Sequence, residues 1–174
     1  DSVFVWVLPF VAIGLLLVGA SVVLNWVGEP KSAPVHTVAS PVRGTWVAIN
    51  SPSSKVPSHG ISQYGQSHSI DLVHEPEGYT RQPILPGLGM LQPSEFPAFG
   101  QPVFAMVDGV IVSAFDRQRD HRSRSSWIAF AWFFLAATVR DLAGSKYVTG
   151  NRVVIRADDG IYAMVCHLKR GSLT

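Results

Sequence analysis

The hydrophobic residues of this chain are concentrated in two long stretches, and the remainder alternates between short apolar runs and turn residues. Residues 3–27 contain no charged residue, and an α-helix needs about 20 apolar residues to cross the hydrocarbon core of a bilayer. The pattern predicts a transmembrane helix over residues 3–27, so that residues 1–27 form an anchor. Residues 28–44 are rich in Pro, Ser and Ala, the composition of an extended linker.

Short apolar runs between turn residues predict a mainly β domain over residues 45–174. Two of the runs contain an Asp-Gly pair, at Asp108-Gly109 and at Asp159-Gly160. Asp-Gly flanked by apolar residues is typical of the tight turn of a β-hairpin. The sequence therefore predicts an antiparallel sheet that includes two hairpins. The predicted strand segments are 45–50, 69–73, 101–115 and 151–168.

An insertion over residues 116–148 separates the two hairpins. It begins with a segment that carries four arginines and continues with residues 127–139, which are apolar on nearly all sides. The second part predicts a helix capped by Ser125 or Ser126 and by Gly144. Thirteen helical residues would be about 20 Å long, too short to cross a bilayer. The helix is either buried against the β domain, or lies in a membrane interface or docks on a membrane partner.

Composition excludes some classes of function. The net charge is +2, and no basic stripe interleaves with aromatic residues, so we expect no nucleic-acid partner. The single cysteine, Cys166, cannot form an intrachain disulfide. Its apolar neighbours predict burial in a strand rather than a role as a nucleophile.

The remaining candidates for chemistry are histidine and aspartate, because the sequence lacks a serine nucleophile elbow and a glycine-rich phosphate loop. Three segments then resemble the zinc metallopeptidases of the LytM/lysostaphin (M23) type: AFGQPVFAMVDGVIVSA, GNRVVIRADDGIYAMVCHLKRGSL and SIDLV. The resemblance covers about residues 42–115 and 149–174. It implies a LytM-like antiparallel sheet and a catalytic Zn²⁺.

By this resemblance Asp71 is a zinc ligand and His167 assists catalysis. The histidine ligand usually lies four residues before the aspartate, where this chain has Ser67. His68 is displaced by one position, which on a strand turns it to the opposite face. Some family members place this histidine further upstream in a loop, as His59 is here. The resemblance therefore implies His59 as the metal ligand, with His68 as the alternative.

The third zinc ligand of the family comes from a His-x-His motif, which this chain lacks. We expect that ligand beyond Thr174, in a longer protein. The resemblance implies a zinc endopeptidase acting on bacterial cell-wall peptides, with peptidoglycan as substrate. It also implies a single-pass protein of the bacterial cell membrane with the domain on the extracytoplasmic side. The alternative is an inactive M23-like module that serves as a scaffold or accessory subunit of a membrane complex.

Overall fold

The computed structural model describes residues 2–27, 34–80 and 89–174. Its contacts define two units, Asp1–Val35 with Ala48–Asp71 and His36–Val47 with Leu72–Thr174. Short 3-10 turns occur at Gln63–Gly65 and Pro93–Glu95. The helices and strands, in chain order, are α1 (Ser2–Val27), β1 (Trp46–Ile49), β2 (Asp71–His74), β3 (Gly109–Phe115), α2 (Trp127–Ala143), α3 (Ser145–Thr149), β4 (Arg152–Ala157) and β5 (Tyr162–Val165).

The fold is mixed α/β, which corrects the predicted mainly β class. Within the described residues the strands form two small sheets, β1-β2 and β3-β4-β5. The insertion is more helical than expected, because α2 continues through Arg140 to Ala143 and α3 follows it directly. Arg, Leu and Ala are strong helix formers, and they extend the helix that the apolar residues begin.

The predicted transmembrane helix is the second correction to the fold class. Residues 3–27 lie in a helix, α1, with Pro9 inside it. Among the parts of the chain that the structure describes, however, no helix is long and apolar enough to cross a membrane. Of the predicted linker, residues 28–33 lie outside the described residues, and residues 34–44 contain neither helix nor strand.

The second predicted hairpin is confirmed. Strands β4 and β5 pair antiparallel, with Ile155 opposite Ala163. Gly160 adopts a φ of 87°, a left-handed conformation that favours glycine. The Asp159 carboxylate accepts the amide hydrogen of Ile161 at 3.1 Å, which closes the turn. Local turn chemistry therefore accounts for this hairpin.

The first predicted hairpin is wrong, because Gly109 lies in a strand and not in a turn. It opens β3 and pairs with Ala157 of β4. A Cβ atom at Gly109 would lie 2.2 Å from the carbonyl oxygen of Arg156. Glycine is therefore required by the close approach of two backbones. The residues before it bond elsewhere, since the amide of Phe104 donates to the carbonyl of Pro41 at 2.9 Å.

The predicted caps of α2 are confirmed, although the helix runs beyond the predicted residues 127–139 to Ala143. Ser126 is the N-cap, and its hydroxyl accepts from the amide of Ala129 at 3.2 Å; Gly144 follows the last turn. Most of the described side chains of α2 are accessible, including Trp127, which is 68% exposed, and Trp132, whereas Ala129 is buried. The described side chains thus form an exposed apolar surface on α2.

We predict that Gly109→Ala destabilises the protein by about 3 kcal/mol, because the added methyl group forces β3 and β4 apart. Urea denaturation followed by circular dichroism measures the change. Gly160→Ala is the matched control, since a Cβ there meets nothing within 4 Å. It should cost only about 1 kcal/mol, for its left-handed backbone. Equal effects of the two substitutions would contradict the steric explanation.

Candidate functional site

The two residues expected to bind a metal, His59 and Asp71, are in contact in the first unit. His59 lies in the loop before the first 3-10 turn, and Asp71 is the first residue of β2. The imidazole Nε2 lies 3.0 Å from the carboxylate Oδ2, and the two side chains are 22% and 45% exposed. The amide of Asn50 donates to the same carboxylate oxygen at 2.8 Å. The pair is thus held in place but open to solvent.

The other imidazole nitrogen, Nδ1, faces two hydroxyl groups. The Oγ atoms of Ser58 and Ser69 lie 3.0 Å and 2.8 Å from it. Ser58 is fully buried, and its hydroxyl lies within hydrogen-bonding distance of the backbone oxygens of Gln66 and Ser69. A serine hydroxyl has one proton, and carbonyl oxygens can only accept it. The proton of Ser58 therefore goes to a carbonyl oxygen, whereas Ser69 lies 2.8 Å from Nδ1 and is able to donate to it or to accept from it.

The position of the ring hydrogen decides what Nε2 of His59 does. With the hydrogen on Nε2, the ring donates to Asp71 Oδ2 at 3.0 Å. With the hydrogen on Nδ1, Nε2 has a lone pair, and a cation would be held between it and the carboxylate. Metal-binding histidines typically donate their other N–H to a neighbouring acceptor in this way. The chemistry of the two donors fits a divalent cation such as zinc.

Two ligands are fewer than a catalytic zinc takes. Such sites use three protein ligands and leave one position for water. Within residues 2–27, 34–80 and 89–174, no group of three His, Cys, Asp or Glu side chains could hold a metal ion. Within those residues, His59 and Asp71 would supply two of the three protein ligands that such a site needs.

The structure separates the two histidine alternatives. His68 is exposed, whereas the neighbouring Ser67 is buried. His59 is the residue whose ring nitrogen is hydrogen-bonded to Asp71. The upstream-loop arrangement is therefore the one that brings an imidazole to the carboxylate.

Sequence analysis missed the hydroxyl groups that orient His59. Ser69 lies two residues before Asp71 in an extended segment, and side chains at that spacing share a face. From this spacing, Ser69 could have been predicted to lie beside His59 and Asp71. Ser58 directly precedes His59 in the sequence, but its burial depends on the later segment 66–69, which no local pattern reveals.

His167, the predicted catalytic residue, lies in the second unit just after β5. Its φ is 60°, a left-handed conformation that is uncommon for a residue other than glycine. Its amide donates to the carbonyl of Thr149 at 3.3 Å. The side chain is exposed and lines a cavity of about 320 Å³.

The buried side chain of Asn151 connects the His167 segment to the insertion. Its Oδ1 accepts from the amide of Gln118 at 2.8 Å. Its Nδ2 donates to the carbonyl oxygens of Gln118 and Leu168 at 2.9 and 3.0 Å. Asn151 is 4% exposed, so these bonds are shielded from water. The segment after β3 and the segment after β5 are thereby fixed to each other.

Cys166 is partly buried at the end of β5. Burial raises the pKa of its thiol from 9.0 to about 11, against a smaller opposing effect of the Arg152 charge. The thiol is therefore protonated at neutral pH. This agrees with the expectation that Cys166 is not a nucleophile.

No family model, curated protein or solved structure matches this chain. The contact between His59 and Asp71 and the resemblance of the three segments are therefore the basis for a function.

We predict that His167→Gly is more stable than His167→Ala by about 1 kcal/mol, because glycine adopts a φ of 60° without a steric cost. Both variants lose the imidazole, so their difference isolates the backbone conformation. Urea denaturation of the two proteins gives the comparison. An alanine variant that is as stable as the glycine variant would contradict a strained backbone at this position.

We predict that Cys166 reacts slowly with iodoacetamide, with a rate that keeps rising to about pH 11. At pH 8 the folded protein should react about 100-fold more slowly than the urea-unfolded chain, because two pKa units change the thiolate fraction by that factor. The pKa of the Cys166 thiol is higher in the folded protein than in the unfolded chain, so the protonated thiol makes its full contribution to stability below pH 9. That contribution is lost as the pH rises through about 11. A rate that levels off near pH 9 would show an ordinary thiol.

Proposed function

We propose that this chain is part of a zinc-dependent endopeptidase of the M23 type that cleaves peptides of the bacterial cell wall. The observation that carries the proposal is the His59–Asp71 pair, in which the imidazole Nε2 lies 3.0 Å from a carboxylate oxygen. The motif resemblance, which includes SIDLV and the segment around His167, supplies the reaction class. The proposal needs a third metal ligand from outside the described residues.

His59 and Asp71 would hold the metal through Nε2 and Oδ2, the two atoms that face each other. A bound zinc ion supplies a polarised water and a Lewis acid for the scissile carbonyl. Asn50 donates to Oδ2 of Asp71 and so fixes the plane of the carboxylate. Ser58 and Ser69 hold the imidazole through Nδ1, so that Nε2 keeps its lone pair.

The role of His167 is proposed from the resemblance. A histidine beside a scissile carbonyl donates a hydrogen bond to the oxyanion that develops in the transition state. The left-handed backbone of His167 and its open side chain suit a group that must reach a substrate. Its ring would hold the proton that the oxyanion accepts.

We predict that the complete gene product binds about one zinc per chain after incubation with zinc and dialysis. His59→Ala and Asp71→Ala should each reduce this below about 0.2 zinc per chain, because each removes one of three ligands. Ser69→Ala should weaken zinc binding about 10-fold, the effect expected for an outer-shell partner. Elemental analysis of the dialysed proteins gives the stoichiometry, and competition with a chelating dye gives the affinity.

His68→Ala is the matched control, because it removes a histidine that lies on an exposed position nearby. It should keep the full zinc content. The proposal is refuted if the unmodified protein holds less than about 0.2 zinc per chain, given the high affinity of three-ligand sites. A His68 variant that loses as much zinc as the His59 variant would refute the assignment of the ligand.

The exposed aromatic surface of α2 favours a second candidate, a scaffold or accessory subunit. Trp127, Trp132 and Phe133 are 68%, 54% and 43% exposed, and Phe130 stacks on Phe133 at 6.2 Å between ring centroids. Large aromatic residues gathered on one exposed element are typical of protein or membrane contact surfaces. A zinc-free gene product would leave this as the better explanation of the chain.

A further inference from the structure

The cavity of about 320 Å³ in the second unit is lined by an excess of positive charge. It opens among the arginine-rich part of the insertion, α2 and the segment after β5. Among the described residues that line it, Asp120 is the one carboxylate. The permanent cations of the lining are Arg119, Arg122, Arg124, Arg140 and Lys169.

The cationic groups act on one another across the cavity. Arg124 and Arg140 are half-buried, and the pKa of Arg124 is lowered by burial and then by the charge of Arg140. Partial burial, followed by repulsion from Arg140, Arg124 and Arg119, also lowers the pKa of His121, while Asp120 opposes the shift. These effects require positive groups that are close together and partly desolvated.

Two contacts within the described residues orient charged groups of the lining. The Asp120 carboxylate accepts from the backbone amide of Arg170 at 3.0 Å. The guanidinium of Arg122 donates to the side-chain oxygen of Gln92 at 2.7 and 3.1 Å, once the amide is oriented with its oxygen toward the arginine. Gln92 is neutral, so this contact orients Arg122 without neutralising it.

Contacts at its beginning, middle and end hold the segment that carries the arginines, so these charged residues cannot move apart freely. Asn151 fixes Gln118 at its beginning. Ser123 is fixed in the middle, because its amide donates to the carbonyl of Leu91 at 2.9 Å and its hydroxyl accepts from the Leu91 amide at 3.0 Å. Ser126 caps α2 at the end. A fixed set of like charges is costly unless a ligand of opposite charge compensates it.

We propose that this cavity binds the phosphate group of a small phosphate monoester. Guanidinium groups bind phosphate through paired hydrogen bonds. A dianion balances several cations better than a carboxylate does, and the volume of about 320 Å³ lies at the lower end of ligand pockets. The site requires no metal, so it is independent of the zinc proposal and is tested without zinc.

Titration calorimetry of the full chain with inorganic phosphate and with glycerol 3-phosphate, at constant ionic strength, tests this site. We expect Arg140→Gln and Arg119→Gln each to weaken binding about tenfold, because each removes a paired contact. Arg156→Gln is the matched control, since Arg156 lies exposed on β4 outside the cavity and carries the same charge. It should change the affinity less than about twofold. Circular dichroism establishes that each variant is folded.

A second measurement keeps the test decisive if one variant unfolds. Binding of a dianion offsets the repulsion at His121, so saturation with phosphate should raise the pKa of His121 in an NMR titration. Acetate at equal ionic strength should bind at least tenfold more weakly than phosphate. Acetate binding as tight as phosphate, or equal losses in Arg156→Gln and Arg140→Gln, would overturn the proposal in favour of nonspecific counterions.

Vesicles that contain phosphatidic acid distinguish the source of the phosphate group. Binding of glycerol 3-phosphate without any added affinity for vesicles identifies a soluble monoester. Tighter binding to the vesicles that is lost in Arg140→Gln identifies the same group on a lipid. Failure of both ligands to bind would overturn the proposal, and the zinc content of the gene product would be unaffected by that result.

Discussion

The second unit depends on the hydrogen bonds made by the buried amide of Asn151. An amide enclosed at 4% exposure is costly unless its polar atoms are bonded, and its three bonds go to Gln118 and Leu168. Gln118 lies at the start of the insertion, and Leu168 lies after β5. One side chain thereby fixes the start of the arginine-rich segment to the loop that carries His167.

In the first unit a buried hydroxyl group has a similar role. Ser58 is fully enclosed, and two backbone oxygens compete for its single proton. The same hydroxyl lies 3.0 Å from Nδ1 of His59, so it helps to fix the orientation of the ring. A neutral, buried group again positions an accessible histidine.

The sequence was sufficient wherever a local signal decides the structure. Capping residues predicted α2, and the turn at Asp159-Gly160 predicted the β4-β5 hairpin. The same dipeptide at Asp108-Gly109 was misleading, because the role of Gly109 is set by a neighbouring strand that is distant in the sequence. Propensity beyond the apolar run extended α2 and made the fold mixed α/β. Local patterns do not contain such pairings or extensions.

The candidate site shows the same division. The motif resemblance predicted His59 and Asp71 as metal ligands and kept His68 as an alternative to His59. The sequence of a loop does not tell which of its side chains is exposed and which points inward. The convergence of Ser58 with the segment 66–69 decides it, and that convergence is three-dimensional. The sequence shows the spacing of Ser69 and Asp71, and it shows the cluster of arginines. It does not show that several of these arginines line one cavity.

A net charge of +2 does not show how charge is distributed within the two units. In the first unit the carboxylate of Asp71 is in contact with His59 and Asn50, and the proposed cation would use this arrangement. In the second unit the described residues that line the cavity include five permanent cations and one carboxylate, Asp120, and the proposed anion would use that arrangement. Neutral groups hold both arrangements in place, so each proposed ligand would enter a site whose polar groups are already oriented.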